Sequence, residues 1–369
     1  MAPGERIRRI RKDRGITQRE LAELLGITPS YVSHIESGQR AATAEMLYRI
    51  ARFLNVRLSA LVDEPGPPAA FQSARALPDA ALPDLQRCAR FHANLWELEN
   101  LVGGRPIASP VAFLGDLPTS PKKAAADVRE ALGHTSRRPA GLDDLVRALA
   151  MQRVTVFSMP LSRTVAGLAT REAPSAIFVN AGLAPRRRLF TLAQALGHLV
   201  LHPTGVVVAD RPSRRVPEEE DADAFAVEFL MPSDLVQELA WMLPDALDRV
   251  SSIRWMADFL GLDPIAVLCR VDQLGRLPRA RFLECRRALE AAARPAPPDV
   301  PVAWDPPAHL PDRYLLLARL ALERHDLSAA RFAELLDVEP AAAQALHARL
   351  AERDDPGRDP AYYASCWGQ

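Results

Sequence analysis

Apolar residues recur at steps of three and four along much of the chain, which is the period of an amphipathic helix. The clearest example is residues 186–203, in which the apolar positions form one broad face. These positions are Leu189, Leu192, Ala193, Leu196, Leu199 and Val200. The spacing predicts a helix with a wide buried side. Residues 218–231 predict a second helix, which ends before Pro232 and carries acidic residues in its first turn, where the helix dipole favours them.

Three short runs rich in β-branched and aromatic residues interrupt the helical pattern, at 154–157, 165–169 and 176–179. Gly, Pro and Asn bound these runs, as is usual for strands. The runs predict a small sheet whose last strand leads directly into the helix at 186–203. The valines at 206–208 come after this helix and are predicted to lie in a loop.

Residues 5–62 predict five short helices, the last at 58–62. Thr17 and Glu20 have the spacing of a capping box at the start of the second helix. Gly26 suits the left-handed turn that ends this helix.

Thr28 is placed to cap the third helix, and Pro29 takes its first position, where a missing N–H costs nothing. Two short helices joined by such a tight turn form a helix-turn-helix. In that arrangement residues 28–36 are the recognition helix, which enters the major groove of DNA.

Residues 17–40 read T-Q-R-E-L-A-E-L-L-G-I-T-P-S-Y-V-S-H-I-E-S-G-Q-R and closely resemble the Xre/Cro-type repressor domains. The resemblance extends over residues 5–62. It implies that Gln18 and Arg40 contact phosphates, and that the outward side of the third helix faces base edges. The residues implied to face bases are Thr28, Ser30, Tyr31 and His34, and Ser33 is expected on the same outward side. A local excess of Lys and Arg in residues 1–14 favours the same DNA-binding function.

The helix at 186–203 also carries candidate chemistry, because helical spacing of four stacks Gln194, His198 and His202 on one side. A zinc peptidase helix reads His-Glu-x-x-His, with two histidine ligands and a glutamate base. Residues 194–198 read Q-A-L-G-H in the same frame. The second histidine is therefore present, whereas the first ligand and the base are absent.

Two segments together resemble the ImmA/IrrE metallopeptidase family, over residues 90–275 of this chain. They are F-T-L-A-Q-A-L-G-H-L-V-L-H at 190–202 and E-E-D-A-D-A-F-A-V-E-F-L-M-P at 219–232. By position, the resemblance implies metal ligands at Gln194, His198 and Glu219 (or Asp221), and a general base at Ala195.

Gln is a poor zinc ligand beside imidazole, and Ala195 has no group that accepts a proton. We therefore expect no catalytic residue, no bound metal and no cofactor in this domain. An alternative is a shifted metal site built from His198, His202 and Glu219. A second alternative is that both histidines are hydrogen-bonded scaffold residues.

Composition and charge further limit the kinds of partner and site that the sequence predicts. Lys plus Arg and Asp plus Glu each number 46, so the overall charge predicts no polyanion partner and only the local distribution matters. The four cysteines are scattered without a CxxC pair, so the sequence suggests neither a zinc knuckle nor a disulfide framework. No signal peptide or membrane span is evident, and a cytoplasmic protein with no membrane partner is expected. The arginines between 270 and 287 are predicted to form a solvated face, with a binding surface as the alternative.

The predicted fold class is mainly α with a small β-sheet. The predicted domains are a helix-turn-helix bundle at 1–64, an α+β zincin-like domain at 86–290 and a helical C-terminal region at 312–369. Pro-rich stretches at 65–85 and 291–311 are predicted linkers. Residues 328–338 resemble residues 18–27 in pattern.

These features favour a sequence-specific transcriptional regulator, a repressor, whose degenerate peptidase-like domain acts as a sensor or interaction module. The expected partners are a double-stranded DNA operator, a second copy of the chain, and a small-molecule or protein effector. One alternative is an active zinc metallopeptidase that cleaves a repressor. Another is an antitoxin-like autoregulator that binds a toxin.

Overall fold

The computed structural model describes residues 3–13, 15–40, 42–54, 61, 81–103, 109–110, 120–134, 139–202, 206–209, 217–243, 249–292 and 302–352. The chain divides into two compact units. One draws on Met1–Pro68 and Leu316–Gly357, and the other on Ala69–Leu315. Each is described by itself.

The N-terminal helices are α1 (Pro3–Asp13), α2 (Gln18–Leu25), α3 (Pro29–Glu36) and α4 (Ala44–Phe53). Their buried apolar side chains form one core, which includes Ile7, Leu21, Val32, Ile35, Ile50 and Leu54. The predicted fifth helix at 58–62 lies outside the described residues, except for the buried Leu61.

Local signals position α2 and α3 as predicted. Thr17 and Glu20 exchange both hydrogen bonds of a capping box. Gly26 ends α2 in the left-handed region with φ +67°. The Thr28 hydroxyl accepts from the backbone N–H of Tyr31 and so caps α3.

The described residues of the second unit begin with α5 (Leu82–Leu98), a π-helical turn (Glu99–Gly103), α6 (Pro121–Ala131) and α7 (Leu142–Met151). The first turn of α5 falls inside the predicted linker at 65–85. Pro83 is compatible with this start, because a proline in the first helical turn loses no hydrogen bond.

A four-stranded sheet follows, with strands β1 (Thr155–Met159), β2 (Val165–Thr170), β3 (Ala176–Asn180) and β4 (Val206–Ala209). The spatial order is β1-β3-β2-β4. β1 pairs with β3 in parallel, and β2 pairs antiparallel with both β3 and β4. The prediction of a loop at 206–208 was therefore wrong. Pairing with β2, about 40 residues earlier in the chain, makes this short run of valines a strand, and no local pattern reveals such a distant partner.

Helix α8 (Pro185–Leu201) lies between β3 and β4 in the chain, and α9 (Pro217–Leu230) follows β4. The two helices correspond to the predicted helices at 186–203 and 218–231. α8 packs on β2, β3 and α9. The central side chains of this core are Leu192, Leu196, Leu199, Phe225 and Phe229, all of them at most 1% exposed.

The remaining helices are α10 (Ser233–Trp241), α11 (Val250–Leu260), α12 (Pro264–Gln273), α13 (Arg279–Ala291), α14 (Pro306–His309), α15 (Asp312–Glu323), α16 (Ala329–Leu336) and α17 (Pro340–Glu352). α13 was not predicted, because its many arginines obscure the buried Phe282, Cys285 and Leu289. α14 falls inside the predicted linker at 291–311. No described helix is long and apolar enough to cross a bilayer.

Arg270 corrects another expectation. Its side chain is buried rather than part of a solvated face. Its guanidinium donates to the Glu228 carboxylate on α9 and, through Nε, to the Met231 carbonyl. The partner that allows this charge to be buried lies about 40 residues earlier in the chain, so the sequence pattern did not reveal it.

Helix α16 begins with a side-chain cap and ends in a left-handed residue, as α2 does. Ser328 caps α16 by accepting from the backbone N–H of Arg331. Asp337 ends the helix in the left-handed region with φ +57°. The predicted similarity of residues 328–338 to residues 18–27 thus extends to cap and turn geometry.

Candidate nucleic-acid interface and candidate metal centre

The outer side of α3 is polar and open to solvent. Thr28, Ser30, Ser33 and His34 are exposed, and Tyr31 is partly buried. The inner side of the same helix carries Val32 and Ile35 in the core. The helix therefore presents hydrogen-bonding groups in the position that a recognition helix uses for base edges.

Arg40 and Tyr31 form one element of this surface. The guanidinium carbon of Arg40 lies 4.5 Å from the centre of the Tyr31 ring. The backbone N–H of Arg40 donates to the His34 carbonyl at 3.1 Å, which holds the turn after α3 in place. The ring thus orients an exposed cation beside α3.

Gln18, expected to contact a phosphate, is partly buried and has a partner inside the domain. Its Nε2 donates to Glu36 Oε2 at 2.7 Å. Arg11 donates two hydrogen bonds to the same carboxylate, with Nε 2.5 Å from Oε1 and Nη2 2.9 Å from Oε2. Burial by itself raises the pKa of Glu36, but the hydrogen bonds from Arg11 and Gln18 outweigh it, and the pKa lies below its ordinary value. This network joins α1, α2 and α3.

Arg8 and Lys12 line a surface hollow of about 650 Å³ beside this network, together with Gln18 and Ser33. Both cations are exposed. The basic patch predicted in residues 1–14 is therefore adjacent to α3, where cations can attract the phosphate backbone.

The candidate metal centre lies between α8 and α9. Gln194 and His198 are buried on α8, at 7% and 1% exposure, and His202, the residue directly after the helix, is 9% exposed. The Gln194 amide Nε2 donates to Asp223 Oδ1 at 2.9 Å and to Glu219 Oε2 at 3.3 Å. A neutral amide therefore occupies the space between α8 and two carboxylates of α9.

His198 directs its two ring nitrogens at different neighbours. Nδ1 lies 3.1 Å from His202 Nδ1, within hydrogen-bond distance. Nε2 lies 3.6 Å from Glu219 Oε2 and has no hydrogen-bond partner among the described residues. Because these nitrogens lie on different sides of the ring, His202 and Glu219 do not converge on one point with His198. In the described parts of the chain, no group of three or more His, Cys, Asp or Glu side chains is arranged to hold a metal ion.

The imidazole of His202 is also poorly placed to carry charge. Burial lowers the pKa of His202, and the adjacent His198 lowers it further. Ala195, at the position of the general base, is fully buried and contributes a methyl group to the core.

Comparison with protein families gives two matches. A helix-turn-helix family matches residues 7–61. A family described as the IrrE N-terminal-like domain matches residues 152–258. The chain carries an Xre-type helix-turn-helix domain and an IrrE N-terminal-like domain. The resemblances inferred from residues 17–40 and from the two segments at 190–202 and 219–232 are thereby confirmed.

Curated relatives match over short stretches. The chain is 35% identical over 68 residues to the HTH-type transcriptional regulator PuuR of Escherichia coli K12, covering 18% of this chain and 37% of that protein. It is 42% identical over 53 residues to the HTH-type transcriptional regulator RamB of Mycobacterium tuberculosis, covering 14% and 11%. It is 38% identical over 64 residues to the immunity repressor protein of Bacillus phage phi105, covering 17% and 44%. The chain thus spans less than half the length of each of these relatives.

Asp223 is a residue of the IrrE N-terminal-like domain that was not among the predicted metal-ligand positions. Glu219 and Asp221 were the predicted acidic partners on α9. Asp221 is exposed, whereas Glu219 and Asp223 are the two carboxylates that Gln194 reaches. Their spacing of four residues, which places both on one side of a helix, was the available signal.

Proposed function

We propose that this chain is a sequence-specific DNA-binding transcriptional regulator that acts as a repressor. The observation that carries the proposal is the exposed polar side of α3, with Arg40 held over Tyr31, on a helix-turn-helix scaffold. The names of the matched relatives, two transcriptional regulators and an immunity repressor, agree with it.

In the proposed complex, α3 enters the major groove and Thr28, Ser30, Tyr31 and His34 face base edges. Arg40 contacts a phosphate. The resemblance implied a phosphate contact for Gln18. We propose a different role, because its amide NH₂ already donates to Glu36. We assign it to the network that holds α1, α2 and α3 together. Helix-turn-helix domains of this kind bind palindromic operators as two-fold dimers, so the functional unit is a homodimer.

We further propose that the IrrE N-terminal-like domain holds no zinc and cleaves no peptide bond. Two observations support this. Gln194 donates its amide hydrogens toward Glu219 and Asp223, so the group in the first ligand position faces the carboxylates as a donor. Ala195 leaves the base position without a proton acceptor, a loss worth ~10²–10⁴-fold in rate. The domain would then act as a sensor or interaction module that responds to a small-molecule or protein effector.

Genome-wide mapping of DNA bound by the full chain, followed by binding measurements on the recovered sites, tests the regulator proposal. We expect a palindromic consensus and a preference over unrelated DNA of at least about 10³-fold at physiological salt. Uniform affinity for all sequences would overturn sequence-specific regulation. A rise in transcription from bound promoters when the protein is present would overturn the repressor assignment.

Elemental analysis of the purified full chain tests the second proposal, with His198→Ala as the matched variant. We expect no stoichiometric zinc in either protein. Stoichiometric zinc that is lost in the His198→Ala variant would overturn the proposal and support the metallopeptidase alternative.

A further inference from the structure

Two aromatic side chains form an exposed patch on α11 in the second unit. Trp255 is 42% exposed and Phe259 is 48% exposed, one helical turn apart. Their ring centroids lie 5.7 Å apart with planes inclined by only 14°. They therefore present one continuous apolar surface to solvent. Single exposed apolar residues are ordinary, whereas adjoining large ones usually mark a contact surface.

The opposite side of α11 is already used by the core. Ile253, Met256, Ala257 and Leu260 are buried there. These buried residues anchor α11 in its own domain and leave part of each ring open to solvent. Aromatic residues are also enriched in protein interfaces and in their energetically dominant positions.

The charges around the rings are complementary to those of a second identical helix. Arg254 and Asp258 are both exposed on α11, also one turn apart. Asp258 accepts from Arg186, and its side chain remains 67% exposed. Along the helix, the midpoint between Arg254 and Asp258 is at the level of Met256, and the midpoint between the two rings is at the level of Ala257. The two midpoints differ by one residue, about 1.5 Å along the helix, so one two-fold axis between them would bring Arg254 near Asp258 of the other copy and Trp255 near Phe259.

We propose that the occupant of this patch is a second copy of the chain, bound with the two α11 helices antiparallel across a two-fold axis. A two-fold interface must be complementary to itself, and both the ring pair and the charge pair of α11 meet this condition. The rings form the centre of the interface, and Arg254 and Asp258 form its polar edge. The rings alone are smaller than a standard interface of ~800 Å² per partner, so neighbouring surface also takes part. This inference rests on the proposed function, because a palindromic operator requires two copies of the helix-turn-helix domain.

Sedimentation equilibrium of the full chain tests the interface, with Trp255→Ala/Phe259→Ala as the variant. We expect a dimer for the wild type and a rise of about tenfold or more in the dissociation constant of the dimer for the variant. Trp96→Ala on α5 is the matched control, because Trp96 has a similar exposure of 45%. It should dimerise as the wild type does. Circular dichroism checks that each variant remains folded.

A mixture of two single-cysteine additions tests the antiparallel geometry. Arg254→Cys mixed with Asp258→Cys should give a disulfide-linked dimer in higher yield than either variant alone. Equal yields in all three samples would overturn the antiparallel pairing. A monomeric wild type, or a Trp255→Ala/Phe259→Ala variant that dimerises as tightly as the wild type, would overturn the interface itself.

Operator binding separates this inference from the proposed function. If the proposal is correct, the ring variant should retain weaker binding to one half-site. One outcome is that the ring variant no longer dimerises and the wild type shows no preference between DNA sequences. This would support the interface and contradict the proposed function. The other outcome is that the protein binds a specific operator as a dimer, and that the Trp255→Ala/Phe259→Ala variant dimerises as tightly as the wild type. This would support the proposed function and contradict the interface.

Discussion

Arg11 and Glu36 form a bidentate ion pair that is buried between the first and third helices of the helix-turn-helix domain. The two side chains are 8% and 2% exposed. They lie 25 residues apart in the chain. Because the Arg11 charge cannot be left unpaired in this position without a large desolvation cost, the pair links the orientation of α3 to that of α1.

Replacing Glu36 with Ala should destabilise the domain by about 3–5 kcal/mol, because it leaves Arg11 as an uncompensated buried charge. Chemical denaturation of the full chain, monitored on the helix-turn-helix transition, measures the loss. Glu23→Ala is the matched control, because Glu23 pairs with Arg19 on the exposed side of α2. The control should cost no more than about 1 kcal/mol. Equal effects of the two changes would contradict the structural role of Glu36.

The stability contributed by Glu36 should depend on acid pH. The pKa of this carboxyl in the folded domain is lowered, because the hydrogen bonds from Arg11 and Gln18 outweigh the opposing effect of burial. A lowered folded pKa gives stability that is fully present above the unfolded value, ~4.3. This stability is lost as the pH falls through the folded pKa. The difference in unfolding free energy between the wild type and Glu36→Gln should therefore shrink in acid. A constant difference would contradict this assignment.

Arg40→Ala should weaken binding to all DNA sequences alike, because a phosphate contact carries no base information. The slope of log affinity against log salt should fall by ~1. Tyr31→Phe keeps the ring beneath Arg40 and removes the hydroxyl, so it should change the preference between sites and leave the salt slope unchanged. Arg281→Ala, which removes the same charge from α13 in the other unit, is the control. If the salt slope falls equally for Arg281→Ala, the assignment of Arg40 to a phosphate contact is contradicted.

Gly197→Ala should destabilise the IrrE N-terminal-like domain by about 1–3 kcal/mol, despite the better helix propensity of Ala. A methyl group at this position would lie 3.0 Å from Phe225 Cδ1 and 3.2 Å from the Ala222 carbonyl, so α8 and α9 would have to separate. Urea denaturation of the full chain provides the measurement. Gly141→Ala is the comparison, because its methyl group would meet only Asp144 Oδ2, at an ordinary 3.5 Å. A Gly197→Ala variant as stable as the wild type would refute the close packing.

Gln194→His together with Ala195→Glu should create a zinc site with His198 and Glu219. The change replaces an amide donor with a metal ligand and supplies a general base. Zinc content after dialysis should rise from none to about one ion per chain. The same pair of changes combined with His198→Ala should bind none. Failure of the restored sequence to bind zinc would show that more than these two positions separates the site from an active one.

The helix-turn-helix domain was predictable because its signals are local. Thr17 with Glu20, Gly26 and Thr28 each act within about four residues, so the backbone geometry they favour needs no distant partner. The identity of both domains followed from motifs of the same short range. The unusual Q-A-L-G-H at 194–198 is likewise a feature of the sequence alone.

Tertiary structure decided which polar groups meet. Gln18 donates to Glu36, Arg270 pairs with Glu228, Gln194 reaches Asp223, and β4 pairs with β2. Each of these contacts joins residues at least 18 positions apart. A sequence pattern records which side of a helix is apolar, because burial repeats with the helical period. It does not record which distant charge or amide satisfies a buried polar group, since that choice is made only when separate elements pack together.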